Sequence, residues 1–122
     1  MLIEVSIGEV LDKISILEIK KTKIKDPAKL KNINNEFTIL VESFPAFNEH
    51  EDYINLCKIN NTLWDIEDRL RIKEGEKSFD EEFINLARDV YLTNDKRSDI
   101  KKRINLKLGS NLVEEKSYAK YS

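Results

Sequence analysis

The sequence predicts a single all-α domain over residues 1–122, a bundle of about five helices with a short extended arm at each end. Three observations support this fold class. The chain has only three glycines and two prolines in 122 residues, so few turns interrupt it. Apolar residues recur three and four positions apart over most of its length, which is the helical period. Hydrophobic residues make up 40% of the chain, which is enough for one core at a length that leaves no room for a second.

Capping signals and apolar spacing predict the first two helices. Residues 1–5 are a short apolar stretch, expected to form a strand or an extended arm. Ser6–Glu9 reads S-x-x-E, a capping box that opens a helix running to about Lys25. Asp26-Pro27 then restarts the chain, with aspartate as N-cap and proline at the first helical position. The second helix is expected to end before Pro45.

A third helix is predicted from Glu51 to Glu74, with Gly75 as its stop. Five residues at helical spacing predict the side that faces the core: Leu56, Ile59, Leu63, Ile66 and Leu70.

Two further helices are predicted in the C-terminal part of the chain. Ser78–Glu81 is another capping box and opens the fourth helix. Thr93 or Asn94 is expected to cap a fifth, which Gly109 closes. The tail after it has no helical period and is expected to lie extended against the body, beside the N-terminal arm.

A second stripe on the third helix is the first candidate site. A helix turns by roughly 100° per residue, which places a second stripe about 120° from the leucines. Glu67 lies at its border. The stripe consists of seven residues of mixed chemistry: Tyr53, Cys57, Asn60, Asn61, Trp64, Asp68 and Arg71. Tryptophan and arginine are enriched in binding hot spots, so the stripe suggests a surface that meets another helix, a second copy of the chain or a ligand. The alternative is structural, because Asp65–Arg69 and Glu67–Arg71 have the spacing of helix ion pairs.

Catalytic patterns are sparse. His50 is the only histidine, which excludes a zinc-protease helix, and the three glycines are isolated, which removes phosphate-loop interpretations. Asp65, Glu67 and Asp68 are the remaining catalytic material. Acids on neighbouring helices can hold Mg²⁺, which prefers oxygen ligands. A Mg²⁺-dependent hydrolase of a nucleotide or phosphorylated small molecule is therefore the alternative hypothesis.

Charge and cysteine content narrow the choice of partners. The net charge of −2 argues against a dedicated nucleic-acid binder. RNA binding through Lys96, Arg103 and Lys107, in the basic stretch from Asp95 to Lys107, is a weaker option. One cysteine excludes an internal disulfide, and neither a signal peptide nor an apolar run of about 20 residues is found. A cytoplasmic protein with no membrane partner is expected.

Several strings resemble a known family. The segments "LWDIEDRLR", "FINLARDVYLTND" and "GSNLVEEKSY" are similar to an uncharacterised bacterial and phage family of short helical proteins. The resemblance implies a standalone domain and no particular activity. It draws attention to "TNDKR", residues 93–97, where Asn94 and Asp95 have capping chemistry. Arg97 is free to pair with an acid of the third helix or with the tail glutamates.

The favoured hypothesis is a non-catalytic binding or assembly module without a cofactor. Its partner is expected to be a second copy, giving a homodimer, or another protein, with a small-molecule ligand as a further option. The residues predicted to form its binding surface are Tyr53, Asn60, Asn61, Trp64, Glu67, Asp68, Arg71, Asn94, Asp95 and Arg97.

Overall fold

The computed structural model describes residues 1–121, which form four α-helices joined by short connections. These are α1 (Ile7–Lys23), α2 (Pro27–Ser43), α3 (Glu51–Glu76) and α4 (Glu81–Leu108), with a 3-10 turn over Phe47–Glu49. α3 and α4 form a long antiparallel hairpin, and α1 packs against each of the other three helices. No strand occurs in the described chain, so the all-α prediction is confirmed, with four helices in place of about five.

The predicted break between a fourth and a fifth helix is wrong. α4 continues through Thr93 and Asn94 without interruption, and Thr93 is buried inside it. The inward positions keep the helical spacing from Val90 through Thr93 and Arg97 to Ile100. The predicted cap rested on Thr93 and Asn94, which have capping chemistry, but Thr93 lies on the inner side of the helix. Polar residues of this segment thus lie on the inner side of one continuous helix.

The ends of the α3–α4 hairpin also differ from the prediction. Gly75 lies within α3, and the helix ends at Glu76 with Lys77 as its C-cap, whose φ of 55° places it in the left-handed region. Asp80, rather than Ser78, is the N-cap of α4 and accepts a hydrogen bond from the Phe83 amide at 2.9 Å. Asp80 also binds the buried Lys73 ammonium at 2.8 Å, so one carboxylate caps α4 and ties it to α3.

The other capping signals behave as predicted. The Ser6 side chain accepts from the Glu9 amide at 3.1 Å, and the Asp26 side chain accepts from the Ala28 amide at 3.0 Å. Both residues therefore satisfy amides that have no partner within their helices.

The core lies where α1, α3 and α4 meet, closed at one end by the 3-10 turn. Its buried members are Leu11, Ile14, Phe47, Tyr53, Leu56, Ile100 and Ile104. The predicted apolar side of α3 faces inward: Leu56, Leu63 and Ile66 are buried, while Ile59 and Leu70 are half-buried. No helix within residues 1–121 is long and apolar enough to cross a lipid bilayer.

The N-terminal arm and the beginning of the C-terminal tail meet beside the start of α1. The Ile7 amide donates to Ser110 Oγ at 3.0 Å, and the Asn111 side chain donates to Glu4 Oε2 at 2.6 Å. Residues 1–5 and 110–121 contain neither helix nor strand. The two predicted arms touch at Glu4 and Asn111, whereas the rest of the tail runs along α4 as far as Asp95.

A buried carboxylate joins the start of α3 to the end of α4. Asp52 is 6% exposed and accepts hydrogen bonds from the Arg103 guanidinium at 2.7 Å and from the Lys107 ammonium at 3.2 Å. These bonds, first those from Arg103, lower the pKa of Asp52 to about 2. Two of the three cations considered for RNA binding are therefore engaged in an ion pair that holds the hairpin together.

Replacing Asp52 by asparagine is expected to lower the free energy of unfolding by about 1–2 kcal/mol at pH 7, allowing for the partly exposed cations. Because the native pKa is depressed, the wild-type carboxylate stabilises the fold above pH 4. That contribution disappears as the pH falls toward 2. Urea unfolding at pH 7 and pH 3 measures it. The difference between wild type and variant should shrink on acidification, and an equal difference at both pH values would contradict the assignment.

Candidate functional site

Polar side chains occupy the interior where α1, α3 and α4 meet. The Asn60 amide of α3 donates to Asp12 Oδ1 at 2.8 Å and to Ser15 Oγ at 2.7 Å, both on α1. All three residues are at most 4% exposed. Buried polar groups are costly unless hydrogen-bonded, and here they satisfy one another. The inner polar cluster comprises these three residues and their charged neighbours Glu9, Arg97 and Lys101.

Lys101 neutralises the acids of this cluster. Its ammonium lies 2.6 Å from Glu9 Oε2 and 3.6 Å from Asp12 Oδ2. Burial opposes charge on both groups of the Lys101–Glu9 pair, yet their hydrogen bond and mutual attraction outweigh it. The pKa of Lys101 is raised and the pKa of Glu9 is lowered. Both therefore remain charged at neutral pH.

Arg97 is the cation of the inner polar cluster that pairs with no acid of residues 1–121. Its guanidinium makes one long hydrogen bond, 3.4 Å to Asn60 Oδ1, and no carboxylate of residues 1–121 lies within ion-pairing distance of it. The expectation that Arg97 pairs with an acid of the third helix or with a tail glutamate is therefore wrong. The half-buried guanidinium has five N–H donors, and only one of them makes a hydrogen bond to another residue of the described chain.

The C-terminal tail covers this side of α4. Residues 110–121 run back along the helix, since Glu115 binds Lys102 at 3.0 Å and the Tyr121 hydroxyl donates to Asp95. The Tyr121 ring also packs edge-on against Tyr91, with 5.5 Å between the ring centres. All these contacts are near the surface, so the tail lies over α4 without entering the core.

A groove remains between α4 and the tail. It has two adjoining lobes of about 390 and 450 Å³, and the second lobe contains Arg97. We call it the tail groove. The lobe with Arg97 is also lined by Val90, Tyr91, Asn94, Asp95, Ser98, Lys116, Tyr118, Ala119 and Tyr121. Pockets of this size that combine apolar surface with a few convergent polar groups are typical of small-molecule sites.

The structure separates the predicted surface residues into three places: the tail groove, the surface of α3 and the protein interior. Asn94, Asp95 and Arg97 line the tail groove. Asn61, Glu67, Asp68 and Arg71 are exposed on α3, where Glu67 and Arg71 form the predicted ion pair at 3.5 Å, and Trp64 is half-buried.

Two members of the predicted stripe lie inside the protein. Tyr53 is 3% exposed and Asn60 is 4% exposed. Burial raises the pKa of Tyr53 well above its usual range, and its hydroxyl has no hydrogen-bond partner among residues 1–121. Asn60 reaches the groove only through its contact with Arg97.

The acids considered for magnesium binding do not form a cage. Asp65, Glu67 and Asp68 are all exposed on α3. Within the described chain, no group of three or more histidine, cysteine, aspartate or glutamate side chains is placed to hold a metal ion. The inner acids Glu9 and Asp12 are instead occupied by Lys101.

The residues that sequence reasoning missed are on α1 and in the tail. Asp12 and Ser15 lie on the inner side of α1, and polar residues at core positions of a helix are the signal that could have found them. Tyr118 and Tyr121 belong to a charged tail, in which two tyrosines indicate a docked segment. Lys101 was hidden in a basic stretch that reads as solvated surface.

Comparison with known proteins shows the family. A family model described as a family of unknown function (DUF6165) matches residues 1–121, so the chain belongs to that family. No curated protein and no solved structure matches the chain.

Proposed function

We propose that this member of the DUF6165 family is a non-catalytic binding module whose tail groove takes a small organic anion. The observation that carries the proposal is Arg97, a half-buried guanidinium without a carboxylate partner in the described chain, at the side of a groove. A phosphate or carboxylate group of the ligand would supply that partner.

The charges around the groove are mixed: Asp95, Asp99 and Glu114 line it, and Asp95 accepts a hydrogen bond from Tyr121, so the attraction for an anion is concentrated at Arg97. Glu9 and Asp12 cannot serve Arg97, because Lys101 already binds both. Lys116 also lines the groove and has no ion pair among residues 1–121, so it adds a second cation. Arginine in particular recognises phosphate and carboxylate through two parallel hydrogen bonds, which gives direction as well as attraction. The inner polar cluster holds Arg97 through Asn60 while leaving its other donors available.

The tyrosines favour a ligand with a ring or another flat apolar part. Tyr91, Tyr118 and Tyr121 are 44%, 61% and 57% exposed, so their rings offer apolar surface beside the charged end of the groove. Tyrosine is suited to such sites because it combines a large apolar ring with a polar hydroxyl. Asn94 and Ser98 add an amide and a hydroxyl that can orient polar atoms of the ligand.

The side chains that line the groove are suited to binding the charged, polar and flat parts of a ligand. We therefore propose binding rather than a reaction. The contact surface predicted along Trp64, Glu67, Asp68 and Arg71 stays a prediction, as does self-association. If that surface acts, it does so on the α3 side of the hairpin and separately from Arg97.

Small aromatic probes test the proposal. Phenyl phosphate and benzoate are expected to shift the backbone amide NMR signals of residues 94–98 and 116–121 in a saturable way, whereas benzyl alcohol is not. Arg97→Gln should weaken phenyl phosphate binding about tenfold, the loss of one charge-assisted interaction, and Arg97→Lys should restore part of it.

The matched control is Arg88→Gln, which removes an exposed arginine of the same helix and should leave the affinity unchanged. Circular dichroism melting of each variant shows whether the fold is kept. Signals that shift elsewhere on the protein, or an Arg97→Gln variant that binds as tightly as wild type, would exclude this site.

A further inference from the structure

The turn between α1 and α2 carries a dense group of lysines. Six lie within twelve residues, at the end of α1, in the connection and in the first two turns of α2. With Asp26 as the only acid, residues 20–31 have a formal charge of +5, which leaves −7 on the rest of a chain whose total is −2. We call these six residues the lysine tip: Lys20, Lys21, Lys23, Lys25, Lys29 and Lys31.

The charge of the lysine tip is not neutralised within the protein. None of its six ammonium groups forms an ion pair with the acids of residues 1–121. The one acid of the segment, Asp26, accepts from the Ala28 amide as a helix cap. Lys21 lies over the Phe37 ring at 4.0 Å, and the Lys25 ammonium donates to the Thr22 carbonyl at 2.9 Å.

Helix stability explains only half of the group. Lys20, Lys21 and Lys23 are in the last turn of α1, where cations are favoured by the negative end of the helix dipole. Lys29 and Lys31 are near the start of α2, where the positive end disfavours them. A like-charged group placed partly against the dipole indicates a role outside the folding of the chain.

We propose that the lysine tip docks the protein on an anionic lipid surface. A helical hairpin ends in a convex tip, and a flat sheet of negative headgroups can meet lysines from both of its helices at once. Each cation near such a surface adds to the attraction, and clusters of four to eight are typical of this type of binding. The half-buried Ile24, between Lys23 and Lys25, would lie at the centre of the contact.

Screening by salt limits the repulsion between the acidic remainder of the chain and a negative surface. α1 has 17 residues and is therefore about 25 Å long. The Debye length at physiological ionic strength is about 8 Å, so most of the acidic remainder would be screened from the surface.

The same chemistry favours lipid over nucleic acid. The six cations are all lysines, which attract phosphate as point charges without the fork geometry of arginine. The nearest aromatic ring described, Phe37, is covered by Lys21 and is not free to stack on a base. The expectation of no membrane partner rested on the lack of an apolar segment long enough to cross a bilayer. It did not take the positive charge of the lysine tip into account.

Vesicle sedimentation tests the proposal with the full chain. The wild type should bind phosphatidylcholine vesicles containing phosphatidylserine, should not bind pure phosphatidylcholine, and should be released by high salt. Lys23→Glu, Lys29→Glu and Lys31→Glu together should weaken binding by at least about tenfold. The control, Lys58→Glu, Lys96→Glu and Lys120→Glu, makes the same change of net charge with exposed lysines elsewhere, and should retain most of the binding.

Circular dichroism establishes that both triple variants are folded. Equal binding by the tip and control variants would show a nonspecific charge effect and overturn the proposal. Wild-type protein that ignores anionic vesicles but binds a single-stranded RNA, measured by fluorescence anisotropy, would also overturn it. Neither result bears on Arg97, because the tip and the tail groove share no residue.

Discussion

Replacing Gly8 by alanine is expected to lower the free energy of unfolding by about 2–3 kcal/mol and the Tm by about 10 °C. A Cβ atom at this position would lie 2.6 Å from the Lys101 carbonyl oxygen and 3.0 Å from Asn105 Oδ1. The carbonyl is part of the α4 backbone and cannot rotate away, so α1 would have to move. That movement would stretch the 2.6 Å hydrogen bond from the Gly8 amide to Asn105.

Gly75→Ala is the matched control. Gly75 lies inside α3, and nothing is within 4 Å of the position that its Cβ would take. The same substitution should therefore raise stability by about 0.5–1 kcal/mol, because alanine favours the helix and restricts the unfolded chain. Thermal melts of the two variants should move in opposite directions. A stabilising Gly8→Ala would mean that α1 and α4 are further apart than the structure shows.

The fold class could be predicted because capping and apolar period are local. Ser6 and Asp26 each satisfy an amide two or three residues away, and the leucines of α3 repeat along one rod. The continuity of α4 could not be predicted, because Thr93 and Arg97 are polar at inward positions. Only packing against α1 and α3 shows that such residues face inward. A periodic pattern assumes that core positions are apolar, and here two of them are not.

The candidate site could be predicted only in part. Asn94, Asp95 and Arg97 are consecutive enough in sequence to be noticed together. Their partners are not: Asp12 lies on another helix, and Tyr121 reaches Asp95 from the far end of the chain. Contacts over such sequence separations depend on how helices pair, which one sequence without its relatives does not specify. The predicted stripe failed as one surface because Tyr53 and Asn60 turn inward.

Asn60→Asp is expected to destabilise the protein by about 3 kcal/mol at pH 7. The new carboxyl group would have almost the same shape as the amide but would lie within hydrogen-bond distance of Asp12, where the amide now donates at 2.8 Å. Two buried carboxylates cannot both be ionised cheaply, so the native pKa of the pair would rise. A raised native pKa means that the deficit relative to wild type grows as pH rises above about 4 and shrinks below it.

Urea unfolding of wild type and variant across this pH range measures the difference. Asn61→Asp is the control, because Asn61 is exposed and donates only to the Cys57 carbonyl of its own helix at 2.9 Å. Its effect should stay within about 0.5 kcal/mol at every pH. An Asn60→Asp deficit that is small, or that does not change with pH, would mean that the inner polar cluster is open to water.

The same variant connects the cluster to the groove. A carboxylate at position 60 would stand 3.4 Å from the Arg97 guanidinium, at the place of the present amide oxygen, and would provide the acid partner that Arg97 now lacks. That attraction offsets part of the repulsion from Asp12, and it competes with any anion bound in the tail groove. Benzoate, which is an anion at both pH values, should therefore bind the folded variant more weakly at pH 7 than at pH 5, where the new pair holds a proton. Wild type should show a much smaller change, because its neutral amide does not titrate.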